Sequence, residues 1–253
     1  MAAIPLAESA LADLKKALRK DLPHVRSSHV TEALAASLGF KTHAALLAAL
    51  PEVTDDPPFV LLDDDRFDQR LQEFGYPPDA EFSFELLDVG DDLVSTGIAY
   101  RMDYEYRTTR EKAWRNLMLL TINEGLRRKL FSLRPYDNRW PGADPESMGH
   151  RGTDCFFDFT LPGGEPIRGY VSDAGFGELD IHAAVYPKGN MVSAFNAGFD
   201  AGDAFAAGWL ERERGLWLQF SPERFNCRRA MVEMLASLDI QPAGYGDRGK
   251  VMM

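Results

Sequence analysis

Asp154 and Asp158 in TDCFFDFTL, and Glu178, Asp180 and His182 in GELDIHAAVY, fall at alternating positions in two stretches with the composition of β-strands. Alternate residues of a strand share a face, so each set points one way. Were the two faces to coincide, Asp154, Asp158, Asp180 and His182 could hold a divalent cation, because carboxylate oxygens and imidazole nitrogens are common ligands. The chain would then be a metal-dependent hydrolase or nuclease. Nothing in the sequence aligns the two strands. A restriction-type nuclease also needs an acid-x-Lys pair on a strand, whereas Glu178-Leu179-Asp180 is followed by Ile181 and His182. Cys155 and His182 offer a nucleophile and a base, although CFFDF around Cys155 has the composition of a core. There is no G-x-S-x-G, Walker loop, H-E-x-x-H or G-x-G-x-x-G. No catalytic residue, metal ligand or cofactor is assigned, and the balance leans away from an enzyme.

The charge is distributed unevenly. Pro51–Tyr106 holds sixteen acidic residues against three basic ones, Arg66, Arg70 and Arg101, while the whole chain carries a formal charge of only -11. Such sorting repels nucleic acid and attracts basic surfaces over roughly 8 Å at physiological salt. Carboxylates spaced along a helix and a strand could imitate a phosphate backbone and engage arginine and lysine meant for nucleic acid. The residues assigned to such a surface are Asp63, Asp64, Asp65, Asp68, Glu81, Glu85, Asp103 and Glu105. A plainer reading is a solvated face, and the run Asp63-Asp64-Asp65 also suits a helix N-terminus. Arg134–Gly152 gathers arginines, aromatics and His150. Arg139 and Trp140 are its candidate contact residues, since Arg and Trp are enriched at binding hot spots. Alternatively, Trp140 plugs the core under the loop while the arginines pair with the acidic hairpin.

The elements that must position these groups are readable from periodicity. Leu6–Lys20 has the spacing of an amphipathic helix. A second helix starts near Ser27 or Ser28, with Leu34, Ala35 and Leu38 as its stripe and Gly39 as its stop. Thr42 caps a third helix, His43–Leu50. PEVTDDPP, residues 51–58, reads as a linker. Asp63–Phe74 is a short helix, and Glu81–Leu86 with Ile98–Tyr106 reads as a hairpin with an acidic face. A long helix follows over about Thr108–Phe131. Thr153–Leu161, Pro166–Ser172, Gly177–Tyr186 and Leu216–Phe220 read as strands, Asp203–Arg214 and Pro222–Leu238 as helices, and 241–253 as a flexible tail. The expected fold class is α+β: a three-helix module, 1–50, joined by 51–58 to a domain, 59–240, with an antiparallel sheet packed by helices.

The segment SSHVTEALAASLGFKTHAALLAAL resembles an N-terminal segment recurring in uncharacterised bacterial proteins, many of them carried on mobile elements. The likeness rests on His29, Glu32, Gly39, Phe40, Thr42, His43 and the AALLAAL run, and implies no known activity. The same segment has helix-turn-helix spacing, which would make the chain a DNA-binding regulator. Its third helix, however, offers only His43 to a base edge, so direct nucleic-acid binding is not favoured. The surplus apolar face of that helix could instead pair two copies.

Composition bounds the rest. With 253 residues, 45% hydrophobic, the chain can fill a substantial core. The first residues lack the basic stretch of a signal peptide, no apolar run approaches the roughly 20 residues of a membrane span, and Cys155 and Cys227 form no paired motif. A cytoplasmic protein is expected. The reading is a non-enzymatic interaction factor of a bacterial mobile element, an anti-CRISPR-like antagonist in its most concrete form, binding a basic protein or nucleoprotein complex.

Overall fold

The structure is a computed structural model that describes residues 2–50, 56–79, 81–89, 93–95, 101–103, 105–143, 154–188 and 202–251, with backbone alone at 95, 101–103 and 248–251. The fold is α+β, as expected, and the chain divides into two compact units. One comprises Met1–Ile98 with Ala243–Gly246, the other Ala99–Pro242 with Asp247–Met253. The break therefore falls near residue 98 and not at 51–58. Residues 51–55 lie outside the described set, but Pro57 is buried and the Pro58 carbonyl accepts the Leu6 amide at 2.8 Å.

The first unit runs β1 (Ala2–Pro5), α1 (Glu8–Asp21), α2 (Ser27–Ser37), α3 (His43–Ala49), β2 (Phe59–Leu62), α4 (Asp64–Glu73), a 3-10 turn at Phe84–Leu86, and β3 (Val94–Ser95). The three expected helices are present. They do not form a module of their own, because β1 pairs with β2 and β3 in an antiparallel sheet and α4 packs on α2. Leu14, Leu18, Val30, Leu34, Phe67 and Phe84 close one core with Ala2 and Ile4. Gly39, at φ 84°, supplies the left-handed residue that ends α2, and Thr42 accepts the Ala45 amide at the start of α3.

The second unit runs β4 (Arg101–Asp103), α5 (Thr109–Arg127), β5 (Asp154–Thr160), β6 (Pro166–Gly175), β7 (Glu178–Val185), β8 (Ala204–Glu211), β9 (Trp217–Gln219), a 3-10 turn at Pro222–Arg224, β10 (Phe225–Cys227), α6 (Arg229–Ala236) and β11 (Gly246–Val251). Its sheet has the order β4-β11-β9-β8-β7-β6-β5, with β10 also paired to β8. The ladders from β5 through β9 are antiparallel. α5 packs on one face against β7 and β8. Thr108 and Glu111 form a reciprocal capping box at its start.

Four expectations are corrected. The acidic hairpin does not form: Phe82 and Phe84 turn inward onto Phe67, and Asp64 accepts the Ser83 hydroxyl and the Phe84 amide, which bends the chain into the 3-10 turn. Of its second arm only Arg101–Asp103 is a described strand, and it pairs with β11; residues 96–100 and 104 lie outside the described set. Asp203–Arg214 is a strand, not a helix. Both of its faces are covered, so AFAAGWLE shows no alternation, and Gly208 leaves room for the Trp114 ring, which would sit 3.1 Å from a Cβ at that position. Pro222–Leu238 is helical only over Arg229–Ala236. The tail is β11, with Tyr245 fully buried and the buried Asp247 paired to Arg115.

Candidate functional site

The α5-backed sheet leaves a second face on which the sequence-singled side chains gather. Register decides their company. Asp154 stands opposite Ser172, and Ser172 opposite Asp180; Phe156 stands opposite Tyr170, and Tyr170 opposite His182. The two strand faces in question therefore do coincide. On the next strand Asp180 faces Trp209 and His182 faces Ala207. One surface thus carries Asp154, Phe156 and Asp158 from β5, Arg168, Tyr170 and Ser172 from β6, Glu178, Asp180 and His182 from β7, and Trp209 and Glu211 from β8.

Coincidence does not bring the carboxylates together. Asp158 is held in a two-pronged bond by Arg168 at 2.7 and 3.0 Å, and that bond holds its carboxyl below the usual range. Asp180 Oδ2 lies 3.0 Å from His182 Nε2, and Asp180 Oδ1 lies 3.4 Å from Arg224. Arg224 stacks over the Trp209 ring at 4.1 Å, within cation–π range. His182 is 1% exposed, between Tyr170 and Phe205 at ring separations of 5.0 and 5.6 Å. Among the described residues no group of three His, Cys, Asp or Glu side chains could hold a metal ion. Cys155 and His182 are not a nucleophile and base, because Cys155 shares the opposite parity with Val171 and Ile181. Burial pushes the Cys155 thiol up, away from the thiolate.

A second arrangement lies at the end of this face. Glu211, 1% exposed, opposes Trp217 on β9 and turns its Oε1 back on its own chain. That oxygen accepts the amides of Arg212, Glu213 and Arg214 at 3.1, 2.9 and 3.1 Å. The register of β7 on β8 sets Glu178 beside Glu211, and Glu178 takes the Gln219 amide at 2.9 Å. Burial first, and then Glu211, push the Glu178 carboxyl up to about 7. Next to this pair the buried Arg212 donates to the carbonyls of Gly177, Ser132 and Arg134 and to Asn138 Oδ1, at 2.8 to 3.1 Å. Asn138 in turn donates to Asp173 at 2.9 Å. Burial lowers Arg212 to about 10, which still leaves it charged at neutral pH.

The residues assigned to a partner surface are dispersed between the two units. In the first, Asp63 caps α4 through the Arg66 amide, Asp64 holds the Ser83–Phe84 turn, and Asp68 accepts from Gln72 and from the Asp79 amide. Asp65 and Glu81 are exposed, and Glu85 is half-buried. In the second, Glu105 meets Arg107 at 3.5 Å, Arg139 pairs with Asp137, and Trp140 is 3% exposed. Trp140 thus fills the core, which was the plainer of its two readings. The Asp103 side chain and residues 144–153 of the basic aromatic loop lie outside the described set. Sequence reasoning passed over Arg212, Glu211, Arg224, Tyr170 and Trp209; only the even spacing of Trp209 and Glu211 would have placed them on one face, and only had β8 been read as a strand.

This is an α+β protein with a helix-backed mixed sheet. No family profile, curated protein or solved structure matches the chain.

Proposed function

We propose that this protein is a non-enzymatic interaction factor of a bacterial mobile element, whose acidic first unit engages a basic macromolecular surface. The anti-CRISPR-like version, in which carboxylates occupy arginine-rich ground meant for nucleic acid, is its most concrete form. The observation that carries the reading is how the first unit divides its side chains. Many of its large apolar groups are buried in two clusters, while Asp65, Asp79, Glu81 and Asp88 stand exposed. Long-range attraction by such a surface speeds encounter more than it tightens the final complex. The resemblance of the 27–50 segment supports the mobile-element setting. A DNA-reading role draws no support from α3, whose cap Thr42 is occupied and whose exposed residues are chiefly Ala and Leu.

The test starts with capture of the partner from a nuclease-treated bacterial lysate at two salt concentrations. Association with that partner is then timed for Asp65→Asn, Glu81→Gln and Asp88→Asn combined. Among the described residues these three carboxylates cap no helix and hold no turn, so the variant is expected to melt with the wild type. A fall in association rate of about tenfold, shrinking at high salt, is expected. An unchanged rate would exclude the acidic surface.

A further inference from the structure

We propose that Glu178 and Glu211 form a proton-operated latch on the turn joining β8 to β9, closed while one proton is shared between the two carboxyl groups and released when that proton passes to solvent. The geometry sets the roles. Three amide donors already converge on Glu211 Oε1, so Glu211 serves as acceptor and the shared proton sits on Glu178. With the proton in place, Glu178 can donate to Glu211, its cross-strand neighbour on β8, while it accepts from Gln219 on β9. Without it, two carboxylates stand side by side on adjacent strands, and like charges so placed repel.

The surroundings do not cancel this repulsion. Arg214 in the turn is the cation that acts on Glu178 from β8's end. Arg212 is spent on three carbonyls and Asn138. Glu213, the other acid of the turn, has its Cβ 3.1 Å from a Cβ placed on Gly177. Along β7 the next residue of the face is Asp180, already engaged by His182 and Arg224. The turn held by Glu211 also carries Arg212, whose bonds fasten Ser132–Asn138 and Gly177. Release would therefore loosen three loops at one end of the sheet together.

The sign follows from the raised carboxyl. The closed form binds the proton more tightly than the open one, so its advantage is complete below the ordinary glutamate range near 4.5 and is lost as pH rises to about 7. Above that it is constant and small. Amide hydrogen exchange of the whole chain at Arg212, Glu213 and Arg214, corrected for intrinsic rates, reads the latch directly. Protection is expected to fall by about tenfold or more between pH 5 and pH 8. In Glu178→Gln, which keeps a hydrogen-bond donor but cannot ionise, protection should stay high and flat. In Glu211→Gln it should be low at every pH, with near-ultraviolet dichroism confirming that the rest remains folded. Wild-type protection that does not change with pH would overturn the proposal, as would the same fall persisting in Glu178→Gln.

Discussion

Arg212 shows how much one side chain can organise. Its guanidinium replaces water with four protein acceptors, three of them carbonyls from two segments far apart in sequence. A planar fork of donors can meet them all; an ammonium cannot. Arg212→Lys is expected to destabilise the second unit markedly, and Arg212→Met by about 3 to 5 kcal/mol, because buried acceptors lose their donor. Urea unfolding followed by tryptophan fluorescence measures both, and a loss under about 1 kcal/mol for Met would refute the assignment. This residue was invisible in the sequence for a physical reason. Arginine is ordinarily at the surface, and ERERG reads as the solvated end of a helix. Asp63 was legible by contrast, because an acid at a helix start has a local cause. Asp158 and Asp180 were placed on the correct faces by parity alone, but their partners Arg168 and Arg224 come from other strands or turns.

At the scale of elements, local signals were read well and non-local ones were not. α1, α2, α3, α4 and α5 each begin and end within a few residues of where periodicity, caps and Gly39 put them. So do β5, β6 and β7, which are separated by turn residues. β8 was misread because alanine favours helix while burial on both faces erased the alternation that marks a strand. The 3-10 turn at Phe84–Leu86 was misread because FSFEL alternates perfectly; the Asp64 carboxylate and the Phe67 ring override that pattern from outside the segment. The cap of α5 is the clearest local device. Thr108 accepts the Glu111 amide while Glu111 accepts the amides of Arg107 and Thr108. Thr108→Ala is expected to cost about 1 kcal/mol, read as a lowered urea midpoint with an unchanged slope; no change would mean that tertiary packing alone sets where α5 begins.

Across the whole molecule, the asymmetry of charge survives folding in the first unit, although several of its carboxylates turn out to be fasteners. That distinction separates the acids that can meet a partner from those that hold the chain together, and composition alone could not make it. The described helices include none long and apolar enough to cross a membrane. Homodimerisation through the N-terminal helices has a specific test, because α3 presents Leu47 at 50% exposure. If that face pairs two copies, the wild type should sediment as a dimer and Leu47→Glu as a monomer of equal stability. A monomeric wild type at high concentration removes the reading.

The crossing of the chain between units near its last strand bears on how the protein is made. Ala243–Gly246 complete the first unit, where Tyr245 is wholly enclosed and Gly244 lies so close to Phe59 that a Cβ there would come within 2.4 Å of its carbonyl. A ribosome that has finished Met1–Ile98 has therefore not finished that unit. At ordinary elongation rates the place of Ala243–Gly246 stays vacant for on the order of ten seconds, and the nascent acidic unit spends that time without the segment that lies against Phe59.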